Sequence, residues 1–202
     1  MMHFWIFLTA CLVLAVTPGP GLLYVLARAV GNGRPDGLRS AVGTFLGGMC
    51  HVVAASLGLS ALLAASAVAF SVVKYAGAGY LVFLGIGMLM TQHEDKDTLT
   101  GVRPSGAVRQ GVWTELLNPK TALFFLSFIP QFVRPGSNHA FAQFLMLGTV
   151  SVTLNTAADL CVVFLSVPLA RRFEQNAGFR RRQRTGSGIS MIGLGLYVAL
   201  HE

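Results

Sequence analysis

Apolar residues run from Phe4 to Leu26, from Ala41 to Met90, from Gly111 to Val133, from Ala140 to Leu169 and from Gly186 to Leu200, with polar residues gathered between the runs. A helix crosses the hydrocarbon core of a bilayer with about 20 such residues. Each run except the second therefore predicts one helix. The second is long enough for two and carries a charge only at Lys74. It predicts a helical hairpin turning around Ala65 to Ser71, where small and polar residues interrupt the large aliphatics. Gly186–Leu200 is short for a span and is expected to borrow a turn from Arg184 and Thr185 by snorkelling of the arginine.

Composition turns six apolar helices into a membrane protein. Of 202 residues, 53% are hydrophobic and 11% charged, and mean hydropathy is +0.63; soluble domains carry about 25% charged residues. So few charges cannot coat a 21.5 kDa globule, which excludes an ordinary soluble enzyme and makes lipid a partner. The net charge of +7 does not indicate nucleic acid, because the basic residues form short clusters with no groove-binding motif. They orient the chain instead. Arg28, Arg34 and Arg39 follow the first helix, Lys96, Arg103 and Arg109 the third, and Arg171, Arg172, Arg180, Arg181, Arg182 and Arg184 the fifth. By the positive-inside rule these segments are cytoplasmic and both termini face outward. Cys11, Cys50 and Cys161 lie in apolar runs without a CxxC pair and read as small buried hydrophobes, with neither disulfide nor metal.

The pattern repeats. Thr17-Pro18-Gly19 in helix one and Asn118-Pro119-Lys120 in helix four lie half a chain length apart, and the same shift lays helix two on helix five. Each half holds an odd number of helices, so the second enters the membrane from the opposite side. The expected fold is an all-α integral membrane protein, a single domain over 1–202. It comprises two inverted three-helix repeats, 1–90 and 111–202, joined by a cytoplasmic linker 91–110, with helices one and four broken at proline. Broken helices at matching positions of inverted halves mark the binding site of a secondary transporter.

Pro18 and Pro20 lack N–H groups, so the carbonyls of Leu14 and Val16 lose their helical partners. With Gly19 and Gly21 they predict an unwound turn, followed by a half-helix whose first N–H groups attract an anion. A simple proline kink is the plain alternative. In helix four, Pro119 frees the carbonyl of Glu115, Asn118 is a cap for the next half-helix, and Lys120 is an ammonium inside an apolar segment. Such a charge needs a partner or a purpose; otherwise Lys120 snorkels outward and Glu115 faces headgroups. Asp159, with no charge within ten residues, is the foremost candidate for carrying a proton, or else a structural partner of Lys120. Asn155 shares its helical face. His51 is a proton carrier or a hydrogen-bonded core residue. Gly43, Gly47 and Gly48 form a small-residue packing face. Nucleotide, hydrolase and metalloprotease motifs are missing, so neither a cofactor nor an enzyme is expected.

Thr17-Pro18-Gly19-Pro20, Gly33 to Leu38 leading into Gly43-x3-Gly47, Leu117-Asn118-Pro119-Lys120-Thr121-Ala122-Leu123-Phe124-Phe125 and Pro130-Gln131-Phe132 together resemble the LysE/RhtB family of amino-acid exporters, including its homoserine/threonine-type translocators. The resemblance implies six helices, export of amino acids or analogues driven by the proton-motive force, and a bacterial inner-membrane location. Asp159 sits where homoserine/threonine-type members often carry an aspartate, whereas Gly21 replaces the polar residue that many members have. The expected substrate-binding set is Thr17, Pro18, Gly19, Pro20, Gly21, Asn118, Pro119, Lys120 and Asn155, and the proton-coupling set is Asp159, Glu115 and His51. Substrate and protons are the expected partners, with homo-oligomerisation left open. Alternatives are an exporter of another small solute or a metal cation, and a thiol-disulfide electron carrier, which would need paired cysteines beside the prolines.

Overall fold

The computed structural model describes residues 2–65, 67–90, 106–133, 139–166 and 177–200. Its elements are α1 (Met2–Val16), α2 (Pro20–Gly31), α3 (Arg34–Ala65), α4 (Ala67–Met90), α5 (Ala107–Leu116), α6 (Pro119–Leu123), α7 (Ala140–Phe164) and α8 (Ala177–Leu200). After α6 the chain continues through a π turn, Phe124–Phe128, and a 3-10 turn, Ile129–Phe132. Among the described residues all regular structure is helical.

Proline and glycine dictate the interruption between α1 and α2. A proline N–H is not missed in the first turn of a helix, so the chain stops at Val16, leaves Gly19 extended, and restarts at Pro20, bent by 45°. The second interruption has the same local cause: α5 ends at Leu116, and α6 starts at Pro119 with the Asn118 side chain accepting from Lys120 N at 3.1 Å. Among the described residues two helices are long and apolar enough to cross a membrane, over Arg34–Gly58 and Ala140–Phe164. The bent α1–α2 pair makes a third if counted as one span.

Several boundaries differ from those the apolar runs predict. Helix α3 begins at Arg34 instead of Ala41, because Pro35 and Asp36 suit a helical first turn; its 32 residues span about 48 Å, beyond any hydrocarbon core. The expected hairpin turn is helical from Ala67 to Ser71, since its alanines favour helix and it contains neither glycine nor proline. Helix α5 already begins at Ala107, within the expected linker, whose residues 91–105 lie outside the described residues, as do Arg171 and Arg172. Helix α8 takes in Arg180 to Arg184, arginine being a good helix former, so the short apolar segment is the inner part of a longer helix. Cys50 and Cys161 are exposed on the apolar exterior, and only Cys11 is buried as expected.

Glycine controls how closely the helices meet. The backbones of α3 and α5 touch: a Cβ on Gly111 would lie 3.0 Å from the Cα of Gly43, and one on Gly47 2.8 Å from the Cβ of Glu115. Gly48 faces Val152 of α7, and Gly85 and Gly188 bring α4 against α8 in the same way. This is the close packing by which helices associate where lipid supplies no hydrophobic drive. Phe7, Phe124, Phe128 and Phe144 fill the core. The exterior is apolar, with Val68, Phe83, Met90, Trp113 and Leu117 exposed.

Candidate functional site

The two interruptions lie against each other. Lys120, 4% exposed, extends from the first turn of α6 to the end of α1, where Nζ donates to the carbonyls of Leu14 and Thr17, each at 2.8 Å. Leu14 is one of the two acceptors that proline was expected to free; the other acceptor used is Thr17 rather than Val16. Gly19 gives the lysine room, since a Cβ there would stand 3.2 Å from Cδ, Cε and Nζ of Lys120.

Glu115 is 2% exposed and does not face headgroups. It ends a half-helix that stops at Leu116, so its carboxylate turns into the interruption. There Oε1 accepts from Thr121 Oγ1 at 2.6 Å and Oε2 accepts from Asn118 Nδ2 at 3.1 Å. Oε2 also abuts Gly21, in the first turn of α2. The main-chain carbonyl that Pro119 releases is met by His51 Nε2 at 3.0 Å; facing a carbonyl, that nitrogen carries the proton. The ring stacks on Phe125 with centroids 6.0 Å apart.

Asp159 on α7 is fully buried. Thr44 Oγ1 of α3 donates to its Oδ2 at 2.8 Å, and Oδ1 has no hydrogen-bond partner.

Between these groups lies a small cavity. It is lined by Cys11 and Leu14 of α1, Thr44 and Gly48 of α3, Glu115 of α5, Thr121 and Phe125 after the second interruption, and Ser151, Val152 and Asn155 of α7. It has room for about one water molecule. Of the expected residues, Glu115 and Asn155 line it. Lys120, Asp159 and Asn118 stand behind that lining, bonded to Leu14, Thr44 and Glu115 of it, while Thr17 gives a carbonyl to Lys120 and Gly19 and Gly21 leave room for Lys120 and Glu115.

Thr44, Thr121 and Ser151 were not singled out from the sequence, because hydroxyl residues are ordinary in membrane helices and only the fold shows which of them face inward. Arg28 is a clearer departure. Counted among the loop arginines, it is fully buried on α2. It donates through Nη1 to Asp36 at 2.9 Å, through Nη2 to Gln110 at 2.7 Å and through Nε to Tyr24 Oη at 3.1 Å, while Tyr24 donates to the carbonyl of Ala107 at 2.7 Å. This network ties α2 and α3 to α5. Among the described residues no three His, Cys, Asp or Glu side chains gather as a metal site.

The family model described as LysE type translocator matches residues 12–202. The chain belongs to the LysE type translocator family. Its members are membrane-embedded transporters rather than enzymes, and several of this chain's relatives are named leucine efflux proteins. A leucine efflux protein of Salmonella typhimurium is 30% identical over 96% of this chain and 91% of its own length. Another, from an Enterobacter, is 32% identical over 82% and 78%. A membrane protein of Pseudomonas aeruginosa is 33% identical over 97% of this translocator and 94% of its own length. No solved structure matches the chain significantly.

Proposed function

We propose that this translocator exports a small neutral amino acid by proton antiport, from a site that opens where the cavity lies, between the two helix interruptions. The observation that carries the reading is the chemistry of the cavity lining. It holds one carboxylate, Glu115, with the hydroxyls of Thr44, Thr121 and Ser151 and the amide of Asn155, set in an otherwise apolar wall of Cys11, Leu14, Phe125 and Val152. The carboxylate and the carbonyls at the end of α1 suit an ammonium, the hydroxyls and amide suit a carboxylate, and the apolar wall suits an aliphatic side chain. A second charged side chain on the substrate would find no counter-ion in that lining, which agrees with relatives named leucine efflux proteins.

The frame is six membrane helices in two inverted repeats, in a bacterial inner membrane, with both termini outward and the arginine-rich segments cytoplasmic. The cavity is too tight for an amino acid, so loading requires the α1–α2 and α5–α6 interruptions to part, first on one side of the membrane and then on the other. Asp159 carries the proton. Its hydrogen bond to Thr44, a lining residue, links its charge to the site. A panel of labelled amino acids in inverted vesicles, with and without an uncoupler, tests the reading: uncoupler-sensitive uptake of neutral aliphatic amino acids is expected, and indifference to the uncoupler would reject proton coupling.

A further inference from the structure

The proposed antiport needs a device that makes proton and amino acid exclude one another, and Lys120 stands where such a device would act. We infer that the Lys120 ammonium competes with the ammonium of the amino acid for the carbonyls of Leu14 and Thr17, and that Asp159 decides which of the two wins. The inference rests on the transport reading above.

Three observations carry it. Lys120 Nζ holds both carbonyls at 2.8 Å, at the negative end of α1 and beside a cavity that Leu14 itself lines. A primary ammonium from the substrate has the same charge, the same three donors and the same fit to that pair of acceptors. Asp159 Oδ1 is the one carboxylate oxygen among the described residues that is buried without a partner, and the two groups stand behind the same cavity, Lys120 bonded to Leu14 and Asp159 to Thr44 of its lining. A released Lys120 thus has an acceptor to turn to, whereas a charge with none would be costly at this depth. The other groups facing Asp159 are Thr44 from α3, already bonded to Oδ2, and Glu115 from α5, held by Thr121 and Asn118. On the neighbouring helix α2, Arg28 is turned away to Asp36.

The sequence of events follows from charge. Ionised Asp159 draws Lys120 off α1, and the amino acid takes the two carbonyls. A proton arriving from outside neutralises Asp159, Lys120 returns to α1, and the amino acid leaves; once the site faces the cytoplasm again, Asp159 gives its proton up there and is ionised for the next substrate. The lysine then satisfies the Thr17 carbonyl and shares that of Leu14 with the Thr17 N–H while the empty protein closes and turns back, so net export does not depend on a returning substrate.

The test uses purified protein in vesicles with labelled leucine, and measures net efflux, exchange against unlabelled leucine, and KM on the external face as external pH falls. In the wild type, external acid raises KM. In Lys120→Met that pH dependence disappears, and net efflux falls at least about tenfold further than exchange, as loss of two charge-assisted hydrogen bonds from the return step requires. Lys120→Arg, which keeps the charge, restores part of the pH dependence. A wild-type KM indifferent to external pH overturns the inference without reference to any variant. Parallel loss of exchange and net efflux in Lys120→Met also overturns it, because the lysine would then be an ordinary substrate ligand. Wild-type vesicles that move no amino acid overturn the transport reading itself, a result distinct from either.

Discussion

The carboxylate of Glu115 lies where a side chain at position 21 would begin: a Cβ added to Gly21 would overlap Oε2. Glycine here is therefore fixed by an acid from the other interruption. Gly21→Ala is expected to push Glu115 off Thr121 and Asn118, costing about 1–3 kcal/mol for the buried polar groups left unpaired and most of the transport. In a Glu115→Ala background the same substitution should cost much less. Thermal melts of the four proteins in detergent give the coupling, and simple additivity would contradict it. Gly79→Ala, with nothing within 4 Å, is the control and should melt with the wild type.

Asp159→Asn removes the charge and keeps the shape. Efflux driven by a pH gradient should be lost, and substrate affinity should fall without vanishing, because a neutral residue 159 leaves Lys120 on the carbonyls of Leu14 and Thr17. Full gradient-driven efflux from this variant in vesicles would remove Asp159 from the mechanism. Thr44→Val takes away the hydrogen bond that Asp159 accepts at 2.8 Å and should weaken coupling in the same assay, with Thr44→Ser close to normal.

Arg28 and Asp36 form an ion pair with side chains 0% and 7% exposed. Removing one partner of such a pair leaves the other charge buried and typically costs 3–5 kcal/mol, roughly. Arg28→Met and Asp36→Asn should each melt far below the wild type, and the double variant should recover part of the loss. Equal melting of Arg28→Met and the wild type would show that the pair contributes nothing.

Cys50 and Cys161 are exposed and Cys11 is buried, all as free thiols. Replacing Cys50 and Cys161 with alanine leaves Cys11 no intramolecular thiol partner, so a thiol-disulfide electron carrier would stop working. Unchanged efflux is expected in vesicles prepared with and without reductant.

Apolar run length made the helices legible, because a span must be long and uncharged wherever it lies. Proline made the interruptions legible, since a missing N–H acts through local chemistry alone. Depth was harder to read. Counting residues from the end of an apolar run put Arg28 in a loop and left Glu115 open between a headgroup position and the proton-coupling set, yet both are buried by neighbours far away in sequence, Gln110 for the first and Gly21 for the second. The spacing of Arg28, Asn32 and Asp36, four residues apart, was a usable signal, as Asn32 donates to the same Asp36 oxygen at 3.0 Å. For Glu115 the signal was its place one turn ahead of Asn118-Pro119, where a helix that stops turns its last acid inward. Lys120 and Asp159 were found because a charge amid apolar residues stands out, whereas Thr44 and Ser151 look like any other small polar residue.

The seam between α3 and α5 has one more consequence. With Gly43 and Gly111 backbone to backbone, the two helices mesh like teeth on a rack, and sliding one past the other by a residue would drive a side chain into main chain. One of them comes from each half of the sequence. The glycines thus fix Thr44 and Glu115, one from each half, at a set separation across the cavity wall, and a side chain at either glycine would push those two lining groups apart.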